Sequence, residues 1–565
     1  SGKLKLEKAS IVNGQPKDYS VSFYGNLVSL KDQFKDDKLI NVTEINDIIN
    51  FEYSAASVID SVSTDNDLDI GFPLISPTRA WTHGDSSEND INTSAGGIKY
   101  DELFPAVRVS KMFDAIAQKY GIGFFGNFLT DKRFTELFLY CKNAETIKFN
   151  SGIKDVSLTS PTGDDVSICF TFDYVTNTIN YQSQIVDGQT SMFMNITTAS
   201  GTNWTAYVYR DGIKFMEYTG VGTGSFQIFY DSTSGGIGNE GAYTFKFSTD
   251  GTITTATIDM YVSYDDDPYI PGFEINLFGQ MGLNVYGSSK LPVNVLMPDI
   301  KVADFFSGIL QMFNLTCYSE DGFNFYIEPL NDWYSAGGIV DITKFCEPNW
   351  EVNKVTQYKS LTFKYEKSES ILNDTFYQLY QRYYGDLIFS PPNQDKNGED
   401  YKVELPFENL LQQRFGGTAL QVGYNINKDL KPYTPKPILL YKWGLISNDT
   451  SYYIETQHKT SYNAFGQDLQ VDTNLYSLNW NIEQSTLLGD AITNTLYKIY
   501  YEDYISQVFY LKSRKINISG TFNLNTLITL KLNDKVFIRD KRYKINKLQT
   551  NLNKQTFNIE LITDI

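Results

Sequence analysis

One pattern occurs twice in this chain, and it restricts the fold more than any other feature. After Pro105, apolar residues stand at Val109, Met112, Phe113, Ile116, Ala117 and Tyr120. That spacing marks one face of a helix, and Gly121 is a natural stop. After Pro298 the set is Val302, Phe305, Phe306, Ile309, Leu310 and Phe313, at an offset of 193 residues. The stretches align without a gap. Pro105-Ala-Val-Arg-Val matches Pro298-Asp-Ile-Lys-Val, Gln118 matches Gln311, and Gly121-Ile122 matches Asn314-Leu315. Amphipathic helices resemble one another by chance, so the periodicity alone leaves coincidence open. The shared proline, basic residue, glutamine and left-handed stop argue for an internal duplication, with helices over 106–120 and 299–313.

Elsewhere the period is two. Leu4 and Leu6 alternate with lysines, and Val21 and Phe23 with serines, which predicts half-exposed strands. Residues 60–100, rich in Ser, Asp, Asn, Gly and Thr, read as a long surface connection. Residues 146–267 have a different texture. Asp187-Gly188, Asp211-Gly212 and Asp250-Gly251 separate alternating runs such as Phe170/Phe172/Tyr174, Tyr243/Phe245/Phe247 and Ile258/Met260/Val262. Asp-Gly suits the positive φ angles of tight hairpins, so this stretch is expected to be an inserted β-sandwich ended by Asp265-Asp266-Asp267-Pro268. Asp321-Gly322 predicts a further hairpin. Residues 484–512 read as helical, and Val536/Ile538, Tyr543/Ile545 and Phe557/Ile559/Leu561 as a small barrel or meander.

Aromatic residues make up 15% of the chain, with 40 Tyr and 38 Phe, and these favour strands. The expected fold class is therefore a β-rich α+β, multi-domain chain. It divides into 1–145 with the first helix, the inserted 146–267, 268–480 with the second helix, and a helix plus small β domain over 481–565.

The chemistry is sparse. A formal net charge of −19 argues against tight binding of DNA phosphates, while leaving room for DNA to slide past. Only His83 and His458 are present, each read as a loop or strand residue, which disfavours zinc and a Ser-His-Asp site. Cys141, Cys169, Cys317 and Cys346 form no C-x-x-C and read as free thiols. No phosphate-binding glycine loop occurs, and no apolar run approaches the roughly 18 residues of a membrane span. The start, Ser1-Gly2-Lys3, has neither an initiator Met nor a signal peptide, so a trimmed or processed chain is expected. Asp265-Asp266-Asp267 has the oxygen ligands calcium wants, but a solvated linker is the simpler reading. No catalytic residue, metal or cofactor is expected. The one candidate binding set is aromatic. Trp204, Tyr207, Tyr209, Tyr218 and Tyr230 lie in the inserted module, where such side chains stack on sugar rings, although Tyr207 and Tyr209 fit a core equally well.

Three stretches carry a family resemblance: Gly2-Lys-Leu-Lys-Leu through Tyr19-Ser-Val-Ser-Phe-Tyr-Gly25; the two Pro-x-[Val/Ile]-[Arg/Lys]-Val helices, the second continuing to Phe325-Tyr-Ile-Glu-Pro-Leu-Asn-Asp-Trp333; and Leu532-Asn-Asp-Lys-Val-Phe-Ile through Tyr543-Lys-Ile-Asn546. With them the chain resembles the tail hub, or baseplate hub, proteins of tailed bacteriophages, especially phages of Bacteroidota. The resemblance implies a structural virion protein with small β-barrel domains. It implies a homotrimer presenting a near-sixfold ring at the distal end of the tail tube. Such a hub joins the tube to tail tip or fibre proteins and surrounds a channel through which DNA passes. The alternative expectation is a carbohydrate-binding surface protein or adhesin acting on a host glycan through the inserted module. A hydrolase is the third.

Overall fold

Both helical faces form helices, and both start later than the pattern predicts. The structure, a computed structural model, describes residues 2–12, 15–25, 30, 33–143, 154–185, 188–198, 201–232, 238–249, 253–265, 274–285, 289–319, 321–355, 357–391, 396–510, 512–522, 526, 529–551 and 554–564. Helix α1 is Val109–Tyr120 and helix α2 is Val302–Met312. Ala106–Arg108, expected to be helical, is instead a fully buried strand, because its backbone pairs with Leu137–Tyr140. α1 ends at Gly121 (φ 64°), whose N–H bonds the Ala117 carbonyl. The chain after α2 turns at Asn314 (φ 47°), one of the few side chains that tolerates the left-handed region.

The chain divides into two compact units. The main unit gathers 1–49, 55–145 and 292–565, so the three domains expected outside the insert are one body. The reason is strand pairing between distant segments. Its eight-stranded sheet runs Leu387–Phe389, Ser360–Glu366, Asp400–Glu408, Ile438–Ile446, Leu137–Tyr140, Ala106–Arg108, Ile70–Gly71, with Tyr462–Gly466 also on Ile438–Ile446. α2 packs on Asp400–Glu408. Gly308 lets it approach, since a Cβ there would lie 2.7 Å from the Phe407 ring. α1 packs on Ala106–Arg108 and Leu137–Tyr140. The strands that follow the helices also meet. Gly123–Phe125 pairs in parallel with Asn324–Pro329, which forms the expected Asp321-Gly322 hairpin with Leu315–Ser319.

The C-terminal sheet has six strands in the order Ile339–Asp341, Lys535–Ile538, Lys541–Asn551, Thr556–Thr563, Arg514–Thr521, Glu351–Lys354. Its edge strands do not pair with each other, so it is an open sheet, with a meander over Lys535–Thr563. No sheet among the described residues is a closed barrel, which corrects the expected barrel domains. Here the edges are short, and Glu351–Lys354 is exposed along its whole length. Residues 484–512 are helical only in part, through a π-helical turn at Tyr497–Tyr501 that runs into the helix Glu502–Phe509. At the N-terminus Gly2–Val12 and Gln15–Gly25 form an antiparallel hairpin.

The stretch expected to be a surface connection is buried in part. Ala55–Ser63 is a helix, and Trp81, Ile91 and Ile98 are buried. Its polarity is consumed internally. The buried Asp90 carboxylate accepts N–H bonds from Gly84 (2.9 Å), Ser86 (2.7 Å) and Asn92 (2.9 Å). Polar residues that satisfy one another need no solvent.

The second unit comprises 50–54 and 146–291, so it continues past the expected end at 267. Its strands are β1 Lys154–Gly163, β2 Phe170–Asp173, β3 Thr178–Tyr181, β4 Gly188–Thr198, β5 Asn203–Arg210, β6 Ile213–Val221, β7 Gly224–Ser232, β8 Gly241–Thr249, β9 Ile253–Asp265 and β10 Glu274–Val285. They follow the order β2-β3-β8-β1-β10-β9-β4-β7, with β5 joining β8 and β6 joining β5. β10 pairs with both β9 and β1 and so belongs to this unit; Asp266, Asp267 and Pro268 lie outside the described residues. The β5–β6 turn is Asp211-Gly212, both at positive φ, as expected of Asp-Gly. Met192, Met194, Val208, Phe245, Ile258 and Met260 lie in one shared core.

In the main unit, the two chain segments that flank the insert are tied together. Asn143 donates to the carbonyls of Val295 (2.6 Å) and Met297 (3.2 Å).

Candidate functional site

The five candidate aromatics do not form one surface. Trp204 is buried, with its indole N–H donating to the Gly222 carbonyl at 2.7 Å. Glycines opposite it make the space, because a Cβ at Gly220 or Gly224 would lie 2.3 or 2.6 Å from the indole. Tyr218 stacks on Phe226 (4.5 Å) and on Trp204 (6.1 Å), so its ring extends the core to the edge. Tyr207 and Tyr209 are half-buried on the opposite side of β5 from Trp204. Their surroundings are charged, with Lys214 over the Tyr207 ring and paired to Glu217 at 2.6 Å. Of the five, Tyr230 alone lies on the other half of the strand order, as an exposed ring on β7.

That half carries residues the sequence reading passed over. Strand register places Tyr230, Ser191, Tyr261 and Phe278 in one row across β7, β4, β9 and β10. The next row is Gln227, Phe193, Asp259 and Gln280. Tyr261 and Phe278 are exposed, and Phe193 is half-buried. Ring centroids are 5.9 Å apart for Phe193–Tyr261, with planes at 89°, and 4.9 Å for Tyr261–Phe278, at 43°. Asp259 sits among amides. It accepts from Asn195 Nδ2 and from Gln280 Nε2, each at 2.8 Å. The alternation Phe193/Asn195, Asp259/Tyr261 and Phe278/Gln280 was visible in the sequence. The pairing that brings residues 193, 261 and 278 together was not.

Other chemistry-bearing groups are engaged structurally. His83 and His458, remote in sequence, both reach Ser451. His83 Nε2 lies 2.8 Å from the Ser451 carbonyl, and His458 Nε2 lies 3.1 Å from Ser451 Oγ. The Ser451 hydroxyl donates to Asn92 Oδ1 at 2.7 Å, so His458 must be the donor to it. That is the reverse of a base activating a nucleophile. Burial pushes the Cys317 thiol up to about 12 and the Cys346 thiol to about 11, which holds both as unreactive thiols. Burial also raises three carboxyls, Glu408 to about 7 and Asp386 and Asp468 to about 6. Glu408 accepts from the Tyr433 hydroxyl and the Lys436 N–H, and Asp386 from the Tyr365 N–H at 3.0 Å.

A cavity of about 470 Å3 lies in the main unit beside Tyr334, Gln507, Lys535 and Lys544. Its cations are matched from within, Lys535 by Asp564 (3.3 Å) and Lys544 by Gln507 (2.9 Å) and Asp564 (3.8 Å). Among the described residues no group of three or more His, Cys, Asp or Glu is placed to hold a metal, and no helix is long and apolar enough to cross a membrane. Compared with known proteins, the chain matches no family model, no curated protein and no solved structure.

Proposed function

We propose that this chain is a structural protein of a virion, a trimeric tail hub at the distal end of a phage tail tube. Three chains pack through apolar and aromatic surfaces around a channel. One face of the ring docks on the tube, and the other holds the tail tip or fibres. DNA passes through and is not tightly bound, and the charge of −19 is compatible with that passage. In this reading the ten strands of the second unit are a β-sandwich inserted into the hub.

The observation that carries the reading is the duplicated unit. A proline, a basic residue, an amphipathic helix, a left-handed stop and a strand occur twice in one chain, with Gly121 and Asn314 at matching positions and both at positive φ. Two similar units in each of three chains supply six similar positions, the way a trimer matches a sixfold tube. The test is the solution mass of the intact chain by light scattering. A mass near three times 64.3 kDa, with ring-shaped particles in the same sample, is expected. A chain that stays monomeric at every concentration and forms no ring overturns the reading. A second reading, an adhesin acting through the second unit, is favoured by the exposed aromatic and amide residues there and requires no trimer.

A further inference from the structure

We infer that the outward face of β10, β9, β4 and β7 binds a neutral saccharide, with Tyr261, Phe278 and Phe193 as the stacking rings and Asp259, Asn195 and Gln280 as the hydroxyl-binding groups. The inference goes beyond the assembly of the hub and gives the adhesin reading a site made of residues other than those the sequence offered.

Three observations select the ligand class. First, the exposed Tyr261 and Phe278 rings and the half-buried Phe193 ring lie side by side on adjacent strands, so they present C–H-binding surfaces one strand spacing apart. The Phe193 and Tyr261 planes are nearly perpendicular. A pyranose lying on one of these rings meets the other at its edge, which favours a bulky, three-dimensional ring over a flat base.

Second, the hydrogen-bonding groups are already arranged. Asp259 holds one N–H of Asn195 and one of Gln280, and Asn195 Nδ2 also reaches Thr257 Oγ1 at 3.5 Å, which fixes both amides and presents their carbonyl oxygens and the second Gln280 N–H to hydroxyls. This row lies two residues along the strands from Tyr261 and Phe278, roughly 7 Å away. A sugar seated on the rings therefore reaches it with its ring substituents. Such a combination, apolar surface with a few fixed polar groups, is what small-ligand recognition needs.

Third, the charge excludes the common alternatives. β4, β7, β9 and β10 contain no lysine or arginine. Nucleic acid or anionic lipid finds no cation here to neutralise its phosphates. The carboxylate in the two rows, Asp259, is engaged by two amides. The other half of the same unit differs, with Arg210, Lys214 and Lys246 on β5, β6 and β8.

The test uses the intact chain and a panel of defined neutral oligosaccharides, glucose-, mannose-, galactose- and N-acetylglucosamine-based, titrated by calorimetry and by ligand-observed NMR. Binding of at least one member is expected, unchanged by added salt. Tyr261→Ala and Phe278→Ala are each expected to weaken it about tenfold or more. Asp259→Asn, which keeps the shape, is expected to weaken it as well. The pair Tyr207→Ala and Tyr209→Ala, on the charged half, is expected to leave it unchanged. Far-UV circular dichroism and the mass of each variant are read in parallel. Failure of the whole panel to bind overturns the inference, as does equal loss in the Tyr207/Tyr209 variant. A fall in mass with Tyr261→Ala also overturns it, by making this face a contact between copies. None of these outcomes except the last bears on the trimer, which the mass of the unaltered chain decides separately.

Discussion

Phe113 and Phe306 stand at the same position of the two helical copies, and their rings meet at 5.4 Å with planes 36° apart. Both also touch Phe124, Phe113 at 5.2 Å and Phe306 at 5.2 Å. The two matching stretches thus contact one another through side chains at equivalent positions. What was found as a sequence offset is a packing relationship inside one body.

Phe113→Ala and Phe306→Ala should each lower stability by about 3–5 kcal/mol, since both rings are buried and would leave cavities. The double variant should cost less than the sum, because the rings share contacts. Denaturant midpoints of the four proteins check this, and strict additivity would show that the copies are energetically independent.

The left-handed stops should respond to substitution differently. Gly121→Ala places a Cβ at φ 64° and should cost about 1–2 kcal/mol. Asn314→Gly relaxes the backbone but removes the 2.8 Å bond from Asn314 Nδ2 to the Tyr500 carbonyl. Its net effect should be a loss of about 1 kcal/mol. Thermal midpoints decide; a stabilised Asn314→Gly would mean that the side-chain bond contributes nothing.

Asp90→Ala should destabilise the loop around Gly84, Ser86 and Asn92 by about 1–3 kcal/mol, because three backbone N–H groups lose a buried, charged acceptor. Hydrogen exchange should speed up at Gly84, Ser86 and Asn92 ahead of the sheet amides. Uniform acceleration over the chain would contradict a local role.

The pH dependence has a definite sign. Glu408, Asp386 and Asp468 hold protons more tightly when folded, near 7, 6 and 6, than in the unfolded chain, where carboxyls titrate near about 4. Their contribution is complete below the unfolded value and is lost as pH rises through the folded ones. Asp37 runs the other way. Burial works against its charge, but Lys119, Asn41 and Tyr120 hold it down to about 2, so its contribution is lost as pH falls toward that value. The thermal midpoint should therefore be higher near about pH 5 than near about pH 8, and Glu408→Gln should narrow the difference. A midpoint that rises from the acid to the alkaline condition would refute the assignment.

Trp204→Ala should cost the second unit about 3–5 kcal/mol, because the indole fills the space left by Gly220 and Gly224. Calorimetry should show the loss in one transition while the other stays in place. A variant of normal stability with weakened sugar binding would return Trp204 to the binding site.

The parts of this fold visible in the sequence are those set by near neighbours. Val109, Met112, Phe113 and Ile116 announce a helix, Gly121 and Asn314 its end, and Asp211-Gly212 a hairpin. What stayed hidden depends on partners far along the chain. Period two separates Trp204, Ala206 and Val208 from Thr205, Tyr207 and Tyr209, but it does not say which set meets the core. The glycines that admit the indole lie on other turns of the chain. Asp265-Asp266-Asp267 reads as an exit because it is charged, yet β10 returns to pair with β9 and β1. Residues 60–100 read as solvated because they are polar, yet Trp81, Ile91 and Ile98 are buried and Asp90 binds three backbone N–H groups from inside. The face of Phe193, Tyr261 and Phe278 exists only through register, which no local pattern encodes.

Asn143, bonded to Val295 and Met297, holds together the points where the long insert leaves and rejoins the main unit. To the sheets on either side, the segment 146–291 is a side branch, joined by residues 50–54, whose Glu52–Tyr53 pairs with Ser289–Lys290. Recombination that replaces the branch with an unrelated one of similar end-to-end span leaves the main unit's sheets paired as they are, and costs only the short pairing at Glu52–Tyr53. The two parts of such a gene are free to evolve on separate clocks, one slowed by packing and the other driven by whatever its surface meets.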